Sequence, residues 1–321
     1  MRTLVRKLPA LLGTLLAVSF LTFLLTSLLP GDPVVQIVGP EAADNPRVRS
    51  AVEADLRLDE SLPVRYAYWL GDAVTGDFGR SYRTNQPVSE AITERFPVTA
   101  QIGGMAMLIA LAGAIPLGML SAYRSGGFMD RAITSTSFGL LAVPSFMMAI
   151  ALIYTFAVTL NWLPATGWTR FSDNPADNLR AAVLPALALG VSELAVYTRL
   201  LRSDMIATLQ EDFVTMARSK GASVPRILLR HALRPSSFSL LTVVGVQVGA
   251  IIGGSVVIET LFALPGIGRL LFDSVVQRDL IMVQGVALVI AVSYVLVNFL
   301  VDLLYSLLDP RIHHGRSSAR A

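Results

Sequence analysis

The chain has 321 residues but no cysteine, only three histidines, and a charged fraction of just 15%. Without cysteine it can form neither a disulfide nor a thiolate metal site. His231, His313 and His314 are too few to build a histidine-rich metal cluster without other ligands. We therefore predict no metal site, and neither redox nor zinc chemistry.

The sequence also lacks the motifs of common catalytic and nucleotide-binding sites. It contains no Gly-x-x-x-x-Gly-Lys-Ser/Thr phosphate loop, no Gly-x-Ser-x-Gly elbow and no His-Glu-x-x-His pair. Its 26 basic and 23 acidic residues leave a net charge of +3, and the basic residues are spread over many short segments. We therefore predict that the chain is no enzyme, binds no cofactor and has no nucleic-acid partner.

Apolar residues, in contrast, are abundant, at 53% of the chain. A membrane-spanning helix needs about 20 mostly apolar residues, because the hydrocarbon core is about 30 Å thick and each residue rises about 1.5 Å. Six segments meet this requirement, namely 8–29, 98–123, 132–163, 179–201, 238–264 and 280–308. The sequence therefore predicts an all-α integral membrane protein with six transmembrane helices, and Pro144 is a candidate kink in the third.

Basic residues in short loops favour the cytoplasmic side and give the predicted orientation. They precede the first span, follow the second, fourth and sixth, and are outnumbered by acids in the long first loop. Both termini are therefore predicted to be cytoplasmic. The first span is longer than the 7–15-residue core of a signal peptide and stops at Pro30 and Gly31, so residues 1–30 are interpreted as a retained anchor.

Two loops are long and patterned enough to fold. The extracytoplasmic loop 31–97 contains a predicted short helix at 48–58, and it forms either a cap over the helix ends or a docking surface for an external solute-binding protein. The loop 202–236 is predicted to form one helix ended by Gly221, then a second short helix from Ser223 to Leu233. The second helix either enters a groove of a cytoplasmic protein or rests on lipid headgroups.

Segments 212–221 (DFVTMARSKG) and 228–234 (LLRHALR) resemble the cytoplasmic coupling loop of bacterial ABC-importer permeases, specifically the dipeptide, oligopeptide and nickel group. Segments resembling the first-helix exit, the outer loop, the fifth-helix exit and the C-terminus of that group lie at 28–33, 65–82, 259–270 and 302–311. The resemblance covers nearly the whole chain and points to the B-type subunit of dipeptide permeases. It implies a five-helix core at 98–310 that includes residues 202–236, called the coupling segment below, and a tail at 311–321.

The resemblance implies an ATP-driven importer of the bacterial plasma membrane, in which this chain forms half of a translocation path for di- or oligopeptides. The implied partners are a second homologous permease, two ATP-binding subunits, an extracytoplasmic solute-binding protein and membrane lipid. ATP and Mg are then bound by the partner subunits. The residues implied to couple this chain to the ATPases are Asp212, Phe213, Thr215, Ala217, Arg218, Lys220, Gly221, Arg230, His231 and Leu233.

Residues inside the predicted spans give candidates for the translocation path. Gly245, Gly249 and Gly253 recur every fourth residue, and they mark either a seam along the path or ordinary packing within the chain. Glu193 lies deep in the fourth span, where it either meets the amino group of a peptide or, as we prefer, pairs with an Arg of another helix. Glu259 lies near the outer end of the fifth span, where we expect water to reach it.

Two other functions fit part of the sequence. A proton-coupled secondary transporter would use Glu193 and need no ATPase, although no internal repeat typical of such transporters is evident. An ABC importer of the same group would carry nickel or another small solute. The peptide importer is the preferred prediction, and both alternatives stay open at this point.

Overall fold

The computed structural model describes residues 2–27 and 32–308. The predicted stop at Pro30 and Gly31 and the tail 311–321 lie outside these residues. α-Helices and two π-helical segments form the regular structure of the described part, which contains no strand. The contacts divide the chain into two units, Met1–Thr99 with Pro265–Leu296 and Ala100–Leu264 with Val297–Ala321.

The helices are numbered in chain order. Those that begin in the first unit are α1 (Arg2–Ser27), α2 (Pro33–Val38), α3 (Pro40–Ala43), α4 (Pro46–Asp55), α5 (Leu62–Thr75), α6 (Val88–Tyr123), α13 (Ile267–Val276) and α14 (Leu280–Leu308). Those of the second unit are α7 (Phe128–Ala142), α8 (Ser145–Leu152), α9 (Pro175–Leu209), α10 (Asp212–Ser219), α11 (Val224–Arg226) and α12 (Leu233–Leu261). π-Helical segments lie at Ile153–Thr159 and Ile227–Ala232.

Proline positions explain why the loop after α1 becomes helical. Pro33, Pro40, Pro46 and Pro63 each stand in the first turn of one of the helices α2 to α5. Proline suits this position, because its backbone angle is already helical and its missing N–H would have no partner there. The helix expected at 48–58 is α4, which ends three residues earlier.

An ion pair fixes the start of this helical segment. Arg49 of α4 donates a hydrogen bond of 2.6 Å to Asp32, whose other carboxylate oxygen accepts from the backbone N–H of Val34 at 2.9 Å. The hydrogen bond from Arg49 holds the pKa of Asp32 below its ordinary value. Asp32 therefore stays charged, and the cap of α2 stays in place, to a more acidic pH than for an unpaired aspartate.

The first unit has an apolar core in two clusters. Val34, Ile37 and Val52 pack together under the short helices, whereas the N-terminal turns of α6 pack against α13 and the start of α14 through Ile92 and Met282. In the same unit, the hydroxyl of Ser81 donates to the carboxylate of Asp279, and both side chains are buried. These contacts tie the loop before α6 to the loop before α14.

Aromatic rings join α1 to α5. The ring of Tyr66 lies 5.2 Å from that of Phe20 and 5.6 Å from that of Phe23, and its hydroxyl is 2.7 Å from the hydroxyl of Ser19. Trp69 also packs on Phe23, at 5.6 Å. Aromatic side chains of α5 therefore hold the first helix.

Small residues bring α6 and α9 into close contact in the second unit. A Cβ on Gly190 would lie 2.7 Å from the carbonyl oxygen of Ala106, and one on Gly113 would lie 2.4 Å from the side chain of Leu194. Ala106, Ala110 and Ala114 are fully buried on α6. Glycine at position 190 thus lets two helix backbones approach to a distance that any side chain would prevent.

Within residues 2–27 and 32–308, three helices are individually long and apolar enough to cross a membrane: Val88–Tyr123, Pro175–Leu209 and Leu280–Val301. Phe128–Ala142 and Ser145–Thr159 pass this test together, but they meet at an angle of 100°. The third predicted span, 132–163, is therefore not one straight helix. The break falls at Val143 and Pro144, because a proline favours an extended residue before it and cannot continue the hydrogen bonding of the helix.

Helix ends also differ from the predicted spans. α6 begins at Val88, ten residues before the predicted start, so it includes part of the predicted extracytoplasmic loop. α9 extends the fourth predicted span at both ends. Polar residues at these ends lower the local hydropathy, so the apolar segment is shorter than the helix. They do not interrupt the helix itself, because neighbouring helices support it.

Gly190→Ala tests the close approach of α6 and α9. We expect it to destabilise the chain by about 1–3 kcal/mol, the usual effect of overpacking, because the added methyl group would meet the backbone of Ala106. Gly104→Ala is the matched control, since a Cβ at Gly104 of α6 meets nothing within 4 Å. Thermal unfolding of the purified protein in detergent measures both, and equal stability of the two variants would contradict the packing.

Candidate functional site

The coupling segment begins as the last turns of α9 and changes direction twice. α9 ends at Leu209, and α10 begins after a break at Gln210 and Glu211, so residues 204–220 do not form the single helix that was predicted. α10 ends at Lys220, after which Gly221 has a backbone φ of +77°. Glycine adopts this left-handed conformation readily, and it allows the chain to turn back directly after the helix.

Only one side of α10 packs against the rest of the chain. Val214 is fully buried, whereas the side chains of Phe213 and Met216 are 45% and 58% exposed. Residues three apart in sequence are neighbours on a helix surface, so these two large apolar side chains lie together. This exposed pair is called the α10 apolar pair below.

The predicted coupling residues divide into two groups. On α10 and the turn after it, Asp212, Phe213, Thr215, Arg218, Lys220 and Gly221 are exposed and Ala217 is half-buried. Arg230, His231 and Leu233 lie beyond the turn, in the π-helical segment and at the start of α12, where Arg230 is exposed and the other two are half-buried.

The second helix of the coupling segment is not the separate short helix that the sequence suggested. α11 leads without interruption into the π-helical segment Ile227–Ala232 and then into α12, with Pro235 in the first turn of α12. Proline normally disrupts a helix, because its ring meets the carbonyl group four residues earlier, here that of His231. The wider π turn lies at that place, so the helix continues past Pro235.

A cavity of about 720 Å³ separates α10 from the end of α6. Arg218 of α10 lines it together with Tyr123 of α6 and Gln210 of the break. Ser125 and several apolar side chains complete the wall, the latter being Ala122, Ile206, Leu209, Ala222, Val224 and Ile227. α10 therefore stands away from the helix ends rather than packing flat against them.

A buried ion pair fixes α9 at the start of the coupling segment. Arg202 donates two hydrogen bonds to Asp130 of α7, with N–O distances of 2.5 and 2.8 Å. Asp130, which is 3% exposed, also accepts from the hydroxyl of Ser121 and the backbone N–H of Gly126. One carboxylate thus joins α6, the loop after it, α7 and α9, and bidentate geometry of this kind is among the stronger ionic contacts in proteins.

Glu193 is paired near the middle of α9, but not with an Arg. The amide nitrogen of Gln247 on α12 lies 3.0 and 2.9 Å from its two carboxylate oxygens and donates to them. Tyr197, one turn along α9, is fully buried, and its hydroxyl donates to Sδ of Met107 at 3.5 Å. The expectation of a partner on another helix holds, whereas the expected cationic partner is replaced by a neutral amide.

The three glycines of α12 do not all pack against the same neighbouring helix. A Cβ on Gly245 would lie 1.9 Å from Cγ1 of Val301, so this glycine permits close packing of α12 on the C-terminal turns of α14. Gly249 is buried, but a Cβ on Gly253 would meet nothing within 4 Å. Packing within the chain therefore accounts for Gly245 and leaves Gly253 on an open face.

Glu259 is placed differently from the prediction. It is fully buried and accepts a hydrogen bond of 2.9 Å from Ser255, one turn earlier on α12. Phe262 and Leu264, which follow it in the chain, are each 1% exposed. Protein therefore covers this end of the helix. Although Glu259 is far from the middle of the span, it does not contact water, so this prediction was wrong.

Sequence reasoning missed Gln247, Asp130 and Arg202 as members of polar pairs. Gln247 was overlooked because only ionisable residues in the spans were considered, although a buried amide has the same need for partners. Asp130 and Arg202 lie just outside the ends of predicted spans, where only basic residues were considered, and those only for orientation. Among the described residues, no group of three His, Cys, Asp or Glu side chains is arranged to hold a metal ion.

Apolar helices that pair polar residues at their middle and ends are typical of membrane transport proteins. The chain belongs to the family of inner-membrane components of binding-protein-dependent transport systems, whose model matches residues 114–314. The model for the N-terminal part of such membrane components matches residues 1–103.

Named relatives align with nearly the whole chain. A Brucella suis biovar 1 protein, provisionally named as a peptide transport system permease, is 40% identical over 311 residues, which are 97% of this chain and 98% of the relative. The di/tripeptide transport system permease of Pseudomonas aeruginosa is 36% identical, covering 97% and 98% of the two chains. The dipeptide transport system permease of Bacillus subtilis is also 36% identical, covering 97% of each.

Membership of this family has direct consequences for activity and location. The chain is an inner-membrane permease subunit of an ABC transporter and is not itself catalytic, because the ATPase resides on separate subunits. It works in a complex with other subunits. The proton-coupled transporter considered from the sequence is therefore set aside.

Asp130→Asn tests the ion pair that fixes the coupling segment. Removing one partner of a buried pair costs about 3–5 kcal/mol, and we expect about 3, since 28% of the Arg202 side chain is still exposed. Asp273→Asn is the control, because its pair with Arg269 is exposed and within one helix, where such pairs contribute at most about 1 kcal/mol. Thermal unfolding in detergent should separate the variants clearly, and losses of equal size would argue against the role of Asp130.

Proposed function

We propose that this chain forms one half of the translocation path of an ATP-driven peptide importer. Its near full-length similarity to permeases named for peptide, dipeptide and di/tripeptide transport supports peptides as the transported solutes. The observation that carries the coupling part of the proposal is the α10 apolar pair, which the rest of the chain leaves uncovered. An exposed apolar patch on a helix is a typical contact surface for a protein partner.

In this proposal α10 binds an ATPase subunit through the α10 apolar pair. Asp212, Thr215, Arg218 and Lys220 surround the pair with exposed polar groups, as at the rim of a protein interface. Gly221 fixes the return of the chain, and Arg230, His231 and Leu233 form the base from which α12 starts. Closure of the ATPases would then move α10, and with it the ends of α9 and α12.

The complete transporter in this proposal contains this permease, a second homologous permease, two ATP-binding subunits and an extracytoplasmic solute-binding protein. ATP and Mg are bound by the ATP-binding subunits. The helical segment from α2 to α5 lies on the outer side, where the solute-binding protein delivers the peptide. Membrane lipid surrounds the apolar faces of the helices.

Six transmembrane spans and two cytoplasmic termini complete the proposal. Four of the spans are α6, the bent pair of α7 and α8, α9, and α14. α1, which contains the apolar stretch Leu8–Leu24, and the 29-residue α12 supply the other two. With six spans both ends of the chain lie on the same side as the coupling segment, in agreement with the distribution of basic residues.

Purification and uptake together test the composition and the solute. The tagged chain, extracted from its native membrane in mild detergent, should bring with it a second permease and ATPases that contain a phosphate loop. Cells that produce the whole system should take up radiolabelled Ala-Ala, whereas cells lacking this chain should not. Recovery of the chain alone, or uptake that does not depend on it, would refute the proposal.

Replacing the α10 apolar pair tests the docking surface. Burying such a side chain contributes about 1.5–3 kcal/mol, so Phe213→Ser with Met216→Ser should lower the amount of co-purified ATPase by about tenfold or more. Phe272→Ser is the matched control, because Phe272 of α13 is exposed to 46%, as Phe213 is to 45%. Unchanged recovery of ATPase with the double variant, measured against the second permease as standard, would exclude α10 as the docking helix.

A further inference from the structure

Glu193 lies near the middle of α9, far from both of its ends. It is eighteen residues after Pro175 and sixteen before Leu209, the ends of α9. At about 1.5 Å per residue, these distances are about 27 and 24 Å along the helix axis. In a span of this length the carboxylate is therefore near the midplane of the membrane, where ionisable groups are costly and serve a function by default.

The contacts of Glu193 leave its charge without a cation. Gln247 is neutral, and no Lys or Arg nitrogen lies within 4.0 Å of the carboxylate among the residues that the structure describes. A carboxylate has about four lone-pair sites, of which the single amide nitrogen of Gln247 engages one on each oxygen. The site is thus oriented by a neutral donor and can accept further hydrogen bonds from a cationic group.

The pair also reaches the surface of the second unit. Glu193 and Gln247 are both half-buried, whereas Ala195 and Tyr197 on the same helix are fully buried. A charged carboxylate at this depth does not face lipid, because its desolvation would cost several kcal/mol. The surface between α9 and α12 that carries the pair therefore faces either the translocation path or a neighbouring subunit.

We propose that Glu193 and Gln247 form a site for the amino-terminal ammonium group of a peptide inside the translocation path. The inference rests on the proposed function, because it takes a peptide as the solute. The carboxylate accepts hydrogen bonds from the ammonium group and balances its charge, while the Gln247 amide holds the carboxylate in place. A single carboxylate binds such a group weakly enough to release it, as a site along a transport path must.

The absence of cysteine allows a direct test of this site in the assembled transporter. Gln247→Cys is made with Glu193 intact and with Glu193→Gln, and the membranes are treated with a cationic or an anionic methanethiosulfonate reagent of similar size. The mass of the intact chain reports its own labelling, whatever cysteines the partner subunits contain. Ala195→Cys is the matched control, since Ala195 lies two residues from Glu193 at the same depth but is fully buried.

The expected result has two parts. Gln247→Cys reacts and Ala195→Cys does not, because only the first faces water. With Glu193 intact the cationic reagent reacts faster, and Glu193→Gln lowers the ratio of cationic to anionic rates by about fivefold or more, as expected for removal of a charge about 4 Å away. An unreactive Gln247→Cys, or a ratio that does not depend on Glu193, would overturn the proposal and would indicate a protein contact at this surface.

Uptake provides the second arm. Glu193→Gln should lower Ala-Ala uptake by about tenfold, the loss expected for a charge-assisted hydrogen bond, and Glu193→Asp should retain more activity. Normal uptake by Glu193→Gln overturns the ammonium site and leaves the importer intact. Failure of the proposed function is distinguishable, because the wild-type transporter would then take up no Ala-Ala.

Discussion

Polar side chains in an apolar helix bundle must find partners on other helices, because neither water nor lipid satisfies them there. Three polar side chains of α9 lie at three depths, and each pairs with a different helix. Asn178 near its start accepts a hydrogen bond from Gln101 of α6, Glu193 at its middle contacts Gln247 of α12, and Arg202 near its end contacts Asp130 of α7. These pairs fix the rotation of α9 about its own axis, which apolar packing alone would leave loosely defined.

The same helix determines the position of the candidate functional residues. Gly190 places the backbone of α9 against Ala106, three residues from the carboxylate at position 193. Arg202 anchors the last turns of α9, seven residues before the end of this helix. Glu193 and the start of the coupling segment thus belong to one continuous helix.

Sequence periodicity and length predicted the helical character of the chain, and each of the six apolar segments coincides with one or more helices of the structure. The transition at Gly221 was also predictable, since a glycine after a polar helix favours a left-handed turn. The 100° bend at Pro144 exceeds the kink that was expected, because the angle depends on what the two halves pack against. The break at Gln210 has no strong local signal, since neither glycine nor proline occurs there.

For the candidate functional residues, the sequence predicted the position of each side chain along its helix but not the side chains that it contacts. The depth of Glu193 followed from counting along the span, but its partner depends on how α9 and α12 face each other, which a single sequence does not contain. Glu259 shows the same limit, because the residues that bury it follow a helix end whose fold was unknown. The continuation of the helix through Pro235 depends on a π turn, for which no local sequence rule is available.

The uninterrupted length of α9 has a mechanical consequence. A hydrogen-bonded helix resists compression along its axis, and Arg202 and Glu193 are nine residues apart, or about 13 Å. If one of these residues moves along the helix axis, the other therefore moves by almost the same distance. A displacement of α9 along its axis relative to α12 would therefore change the register between the carboxylate of Glu193 and the amide of Gln247.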